Sequence, residues 1–229
     1  MNRTLSTVMI LVATVAIISV SAFLYLTREI AAPSININES VQSLTVDGEG
    51  EEIVFQIEQD GTTAEYNIYE LLNGEDKTVI GTTNQVAGEI ALNLSDLSQS
   101  QIGEIHINAR TFATDSDRRD NAVARFILQS EDDVNEFIIF QPTEISGLEG
   151  SASVGDSITF QVTGNLTVAG VTQSIIFDVT ATLESETTLS GHAQTIISRE
   201  AFNLSIPEVP SVANVGDEVT LKLDFTAAS

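Results

Sequence analysis

A chain of 229 residues with 33 acidic and 9 basic side chains, a formal charge of −24 and no cysteine has room for one sizeable β-domain and a tail. All the acids fall at or after Glu29 while Arg3 and Arg28 precede it, so residues 29–229 carry 7 − 33 = −26. Such a surface argues against nucleic acid as a partner and repels anionic lipid surfaces, and the lack of cysteine excludes a disulfide framework, a thiolate metal site and lipidation of an N-terminal cysteine.

Residues 8–26 hold neither charge nor proline, and these 19 residues at about 1.5 Å each match the ~30 Å bilayer core. Residues 1–28 therefore read as a signal anchor, one transmembrane helix that holds the protein to a membrane. Cleavage at Val20-Ser21-Ala22 is the competing reading, but Phe23, Leu24 and Leu26 carry the apolar run beyond that site. Residues 29–40 are polar and read as a tether. Residues 41–229 then form the domain.

Residues 43–46 and the alternating Ile53, Phe55 and Ile57 are strand-like, with Asp47-Gly48-Glu49-Gly50 as a turn between them. Tyr66, Ile68 and Glu70 alternate with Asn67, Tyr69 and Leu71 before a turn at Leu72-Asn73-Gly74-Glu75-Asp76. Residues 79–94 give a further strand, interrupted by Gly81 and Gly88, where a bulge or strong bend is expected, and Ile102, Ile107 and Ala109 belong to the next.

Residues 114–133 break the pattern. Ala122, Val123, Phe126 and Ile127 recur at helical spacing, which predicts a two- or three-turn helix over 118–129. Arg110, Arg118, Arg119 and Arg125 cluster here, four of the seven bases after residue 28. Either they form a cationic patch for a phosphate or carboxylate head, or they pair with Asp115, Asp117, Asp120 or Glu131. The density of adjacent acids favours pairing.

Residues 136–141 are the next strand, closed by Pro142. The clearest β-hairpin follows over 156–183. Ile158, Phe160, Val162, Leu166 and Val168 share one face of its first arm, and Ile175, Phe177, Val179, Ala181 and Leu183 one face of its second, with the reversal at Ala169-Gly170. Residues 189–197 give another strand, Phe202 to Ile206 lead into a loop with Pro207 and Pro210, and Val219, Leu221, Leu223 and Phe225 alternate with polar residues. About eight antiparallel strands with one helical insertion predict an all-β meander closing into a barrel, since closure removes unpaired edges.

A barrel of that size is either filled by its own side chains or holds one slim ligand. The inward candidates are Phe55, Ile57, Phe160, Val162, Phe177, Val179, Leu223 and Phe225, and periodicity alone does not separate the two cases. Nothing marks an enzyme, a metal site or a cofactor site. There is no Gly-x-Ser-x-Gly elbow, His106 and His192 lack ligand spacing, and adjacent acids such as Asp132-Asp133 or Glu51-Glu52 point apart on a strand.

Three stretches resemble the YceI-like family, the lipocalin-like polyisoprenoid-binding domain. They are Arg110-Thr111-Phe112 with Arg119-Asp120; Gly164-Asn165-Leu166-Thr167-Val168 with Gly170-Val171-Thr172; and Ser198-Arg199-Glu200-Ala201-Phe202-Asn203-Leu204 with Val215-Gly216-Asp217-Glu218-Val219-Thr220-Leu221. Asn121 stands where the family commonly has a histidine, and Phe126-Ile127-Leu128-Gln129 replaces its acidic-aromatic run. The resemblance implies an eight-stranded antiparallel lipocalin-like barrel, exported beyond the inner membrane, whose apolar pore holds an isoprenoid lipid: a polyprenyl chain or a quinone tail. It turns the eight apolar candidates into a pore wall and leaves selection of the head group to Arg119. The alternative is an anchored adhesion or interaction domain with a filled barrel.

Overall fold

The computed structural model describes residues 29–46, 52–208 and 212–229. The apolar run at 8–26, the Asp47-Gly48-Glu49-Gly50 turn and Pro210 lie outside the described residues. Ala31–Ser229 is one compact unit, and among the described residues no helix is long and apolar enough to cross a membrane.

One antiparallel sheet holds β1 (Glu52–Leu72), β2 (Glu75–Thr83), β3 (Val86–Ala87), β4 (Glu89–Asn93), β5 (Gln101–Ile102), β6 (Ile105–Asn108), β7 (Phe137–Ser146), β8 (Ser157–Val168), β9 (Val171–Ser185), β10 (Thr188–Ser198), β11 (Val212–Ala213) and β12 (Glu218–Ala228). Twelve strands stand among the described residues where about eight were expected: β2, β3 and β4 follow one another as one run, as do β5 and β6, and β11 is a short addition to β1. The sheet curls. Ladders join β1 to β2 and β4, β4 to β5, and β3 to β6, then pass from β6 through β7, β8, β9, β10 and β12 in turn. β12 pairs back onto β1, from Gln56↔Ala228 to Ile68↔Val219. Each run thus has a hydrogen-bonded neighbour on both sides, which leaves little bare edge for another chain to pair with.

Alternation decides which face is dry. Along β8, Phe160, Val162, Leu166 and Val168 are buried while Ser157, Thr159 and Gln161 are exposed. Val168 pairs with Val171 across a two-residue turn in which Ala169 (φ 47°) and Gly170 (φ 76°) are both left-handed, the twist that joins right-twisted strands. A register shift near Gly61 (φ 81°) bends β1 midway, where an added Cβ would lie 2.8 Å from Thr226 Oγ1.

Several local expectations are corrected. Residues 43–46 form no strand; the Leu44 N–H instead donates to Glu89 Oε2 at 2.6 Å. The tether contains a 3₁₀ turn, Ile37–Glu39, whose Ile37 is buried at 3% exposure. Gly88 breaks the strand as expected, whereas Gly81 stays within β2. Ala109 leaves the strand for a 3₁₀ turn. Pro142 does not end β7; lacking an N–H, it sits at a register shift and the strand continues to Ser146. The predicted helix is α1 (Asp117–Ala122), which passes into a π-helical turn over Val123–Ile127. There the Leu128 N–H reaches the Val123 carbonyl at 2.8 Å.

Candidate functional site

The inner face encloses a cavity of about 600 Å³. Its wall runs along β8 from Phe160 to Val168, eight steps that span about 26 Å along the strand and, at a typical tilt, about 20 Å along the axis. At the end where β4, β7, β9 and β12 finish, two loops meet. The Leu97 N–H donates to the Gly150 carbonyl at 2.8 Å and the Ala152 N–H to the Leu94 carbonyl at 3.0 Å, setting buried Leu97 and Leu148 against the cavity. At the other end stand α1, the π turn and the chain between β10 and β12, through Arg118, Arg119, Ile127, Arg199 and Leu204.

Ile57, Phe160, Val162, Phe177, Val179, Leu223, Phe225 and Arg119, all singled out from sequence, border this space. Phe55 does not: at 0% exposure no part of it meets open volume, and it backs the wall instead. Three rings lie down on glycines. A Cβ at Gly81 would be 2.2 Å from the Tyr66 ring, one at Gly164 2.5 Å from Phe140, and one at Gly191 2.4 Å from Phe225. Phe140 also meets Phe177 edge-on at 5.0 Å. By giving these rings room against the wall, the glycines keep large side chains out of the lumen.

Charged side chains gather mainly at the helix end. Arg119 Nη2 donates to Glu70 Oε1 at 3.0 Å, and its Nη1 pairs with Asp115, which Lys77 also engages. Those two partners, Lys77 first, hold the Asp115 carboxyl below its usual range. Lys222 Nζ donates to Glu65 Oε1 at 2.9 Å and is the leading cause of that carboxyl's lowered pKa. Arg199 donates to the carbonyls of Leu204 (2.6 Å) and Gly216 (3.3 Å). Arg118 is exposed and makes no ion pair among the described residues. The Tyr66 hydroxyl is buried without a hydrogen-bond partner among the described residues, and burial, then the charge of Asp120, pushes its pKa up.

The remaining arginines hold structure. Arg110 donates to Ser130 O (2.6 Å), Asp133 Oδ1 (2.6 Å) and Glu136 Oε2 (2.9 Å). Glu136 also accepts from Asn108 Nδ2 at 3.0 Å and from the backbone and side chain of Ser34. This buried hub fastens residues 32–34 to the sheet. Arg125 pairs with Glu131 at 3.3 Å. Pairing with the acids expected from sequence holds for Arg119 with Asp115 and for Arg125 with Glu131; Arg110 pairs with Asp133 and Glu136 instead, and Arg118 makes no ion pair among the described residues.

Neither histidine borders the cavity. His106 lies between Ser40 Oγ (3.1 Å) and Glu104 Oε2 (3.3 Å), but Ser40 Oγ donates to the Ile37 carbonyl at 2.6 Å, so the group pins the 3₁₀ turn to β6. His192 meets Asp224 at 2.7 Å on the outer surface. Among the described residues no group of three or more His, Asp or Glu is placed to hold a metal ion.

Leu97 and Leu148 were not legible because loop residues carry no periodicity, and Arg118 was hidden in a run of acids that suggested partners for every arginine.

The YceI-like domain model matches residues 44–227. Among solved structures, Burkholderia cenocepacia BcnA is similar with a TM-score of 0.58 at 18% identity, covering 75% of this chain and 99% of its own. A polyisoprenoid binding domain from Saccharophagus degradans, implicated in plant cell wall breakdown, gives a TM-score of 0.59 at 9% identity over 76% of this chain and 98% of that one. The Campylobacter jejuni YCEI protein gives 0.50 at 15% identity, covering 65% and 84%. No curated protein matches the sequence.

Proposed function

From the premise that the chain belongs to the YceI-like domain family, we propose that it carries or sequesters an isoprenoid lipid, a polyprenyl chain or a quinone tail, in the lumen of a closed eight-stranded lipocalin-like barrel. The ladder that returns from β12 to β1 supports closure. The observation that carries the binding reading is the cavity of about 600 Å³ with apolar side chains along its length, a space that a packed core does not leave. The similar polyisoprenoid binding domain supports the choice of ligand class.

Each buried CH₂ contributes about 0.8 kcal/mol, so one five-carbon isoprene unit contributes on the order of 3–4 kcal/mol before ordering costs. Affinity then comes from the tail, with little discrimination by tail length, because an apolar wall distinguishes neighbouring lengths by modest factors. Ile57, Phe160, Val162, Phe177, Val179, Leu223 and Phe225 are the proposed tail contacts. Arg119 stands at the head end, held by Glu70 and Asp115. The function is binding, not catalysis.

The uncharged run at residues 8–26 supports a second part of the proposal: a single membrane anchor with the barrel on the extracytoplasmic side. Resistance of the full chain to alkaline extraction from membranes, with the barrel digested by protease added to intact spheroplasts, is the expected result; protection from that protease would reverse the orientation.

For the cavity itself, the full chain is titrated with a fluorescent prenyl probe, beside a Phe177→Asp variant that places a charge against Phe140. Saturable uptake is expected, lost in the variant. Uptake by a folded Phe177→Asp protein equal to the wild type would show that the probe does not enter the cavity.

A further inference from the structure

We propose that the helix end of the barrel rests on a zwitterionic lipid surface, so that a tail passes between bilayer and lumen without crossing water. The inference rests on the anchored-carrier reading and adds the face that meets the membrane.

Residues 29–40 read as a tether, yet residues 32–34 are fastened to the sheet. The Ala32 carbonyl accepts from Arg110 Nη1 at 3.1 Å, and the Ser34 N–H donates to Glu136 Oε1 at 2.8 Å. Arg110 follows β6 and Glu136 precedes β7, so both belong to the helix end. With residues 8–26 across a membrane, as proposed above, Leu26 is six steps from Ala32, a reach of at most about 21 Å. The headgroup layer takes about 5–7 Å of it. The remaining reach, about 15 Å, is shorter than the ~20 Å between the ends of the cavity wall. The loop end is therefore not the end that touches the bilayer.

The side chains at the helix end suit that contact. Val134 is 81% exposed in the 3₁₀ turn Asp133–Asn135, between Asp133 and Glu136, which both pair with Arg110. Ile35 follows Ser34, and Phe126 stands on the π turn that leads to Ser130, whose carbonyl Arg110 also holds. Both are exposed. Three large apolar side chains thus surround one buried arginine hub, a grouping that marks a contact surface. The exposed isoleucines on the strands are isolated instead: Ile80 lies opposite Asn67, Ile176 opposite Thr163 and Ile196 opposite Thr220. Asp132 and Asp133, both exposed, precede Val134, so an anionic bilayer is repelled and a zwitterionic one is the better partner. The cavity reaches the surface at this same end, where exposed Arg118 and Pro207 border it, whereas buried Leu97 and Leu148 line the other.

The chain has no cysteine, so a single one can carry a fluorophore at Val134 or at Val154, which is 53% exposed in the loop before β8 at the far end. The full chain bearing either fluorophore is reconstituted into phosphatidylcholine vesicles that contain a nitroxide lipid, a short-range quencher. Val134→Cys should lose fluorescence to the nitroxide and Val154→Cys should keep it. Replacing part of the phosphatidylcholine by phosphatidylglycerol should weaken quenching at Val134→Cys at low salt, and added salt should restore it. Ile35→Asp combined with Val134→Asp should slow uptake of the prenyl probe from the same vesicles several-fold. The amount finally bound should not change, which reports an intact cavity. Equal quenching at both positions, stronger quenching at Val154→Cys, or none at either would overturn the assignment and leave the anchor in place, as would an unchanged uptake rate in the double variant. A full chain that fails to float with the vesicles after an alkaline wash would refute the anchor, and a wild type that takes up no probe would refute the carrier; either takes this inference with it.

Discussion

Glu136 is 1% exposed, and Asn108, Arg110 and Ser34 all donate to its side-chain oxygens. Removing one member of such a buried set strands the others, so Glu136→Ala should cost about 3–5 kcal/mol, read as a lower urea midpoint at unchanged slope; a loss under 1 kcal/mol would show that the hub carries no net stability. Tyr66 is the opposite case, since its hydroxyl is buried with no hydrogen-bond partner among the described residues. Tyr66→Phe should be neutral or stabilising by about 1 kcal/mol, in contrast to the usual cost of a core substitution, and a marked destabilisation would reveal a partner for that hydroxyl. At this scale the sequence was readable in kind but not in detail. A run mixing Asp and Arg announces ion pairs, and two of its three arginines, Arg119 and Arg125, pair with acids of that run. Which one stays unpaired depends on where α1 ends and on distant residues such as Glu70, and neither is written in the local pattern.

The strands were the most legible elements, because a period of two survives wherever one face is dry and the other wet. The hairpin of β8 and β9 matches its expected faces throughout, down to the Ala169-Gly170 reversal. Legibility failed where backbone geometry overrode pattern: Pro142 absorbed into a bulge, Gly81 retained in β2 because the Tyr66 ring lies over it, and residues 43–46 held by a side-chain bond to Glu89 in place of a ladder. The glycines beneath aromatic rings yield an expectation of their own. At Gly191 an added Cβ would approach Phe225 Cζ to 2.4 Å and the Thr180 carbonyl to 3.0 Å, so Gly191→Val must push the ring toward the lumen. Overpacking of this kind costs about 1–3 kcal/mol. The variant is expected to fold with reduced stability and to take up less prenyl probe than the wild type. Unchanged uptake would mean that Phe225 does not control the width of the lumen.

For the molecule as a whole, two opposed properties share one sheet. The outer surface is dominated by carboxylates and suits water, while the inner face gives up close packing to leave about 600 Å³ open. Composition and alternation supplied the first property and the curled architecture that permits the second. They did not supply the opening itself, since the same Phe, Val and Leu pattern describes a filled core equally well. Only the way Tyr66, Phe140 and Phe225 lie on glycines, and the way loops bring Leu97 and Leu148 to one end, separates a hollow sheet from a packed one. The central claim is that an isoprenoid tail occupies that space. Its most direct test is the mass of what an organic solvent extracts from the full chain purified from membranes, set against Phe177→Asp prepared in parallel. A polyprenyl or quinone species near one per wild-type chain and missing from the variant is expected; an extract without such a species, or one equally rich from both proteins, would show that no isoprenoid tail fills the cavity.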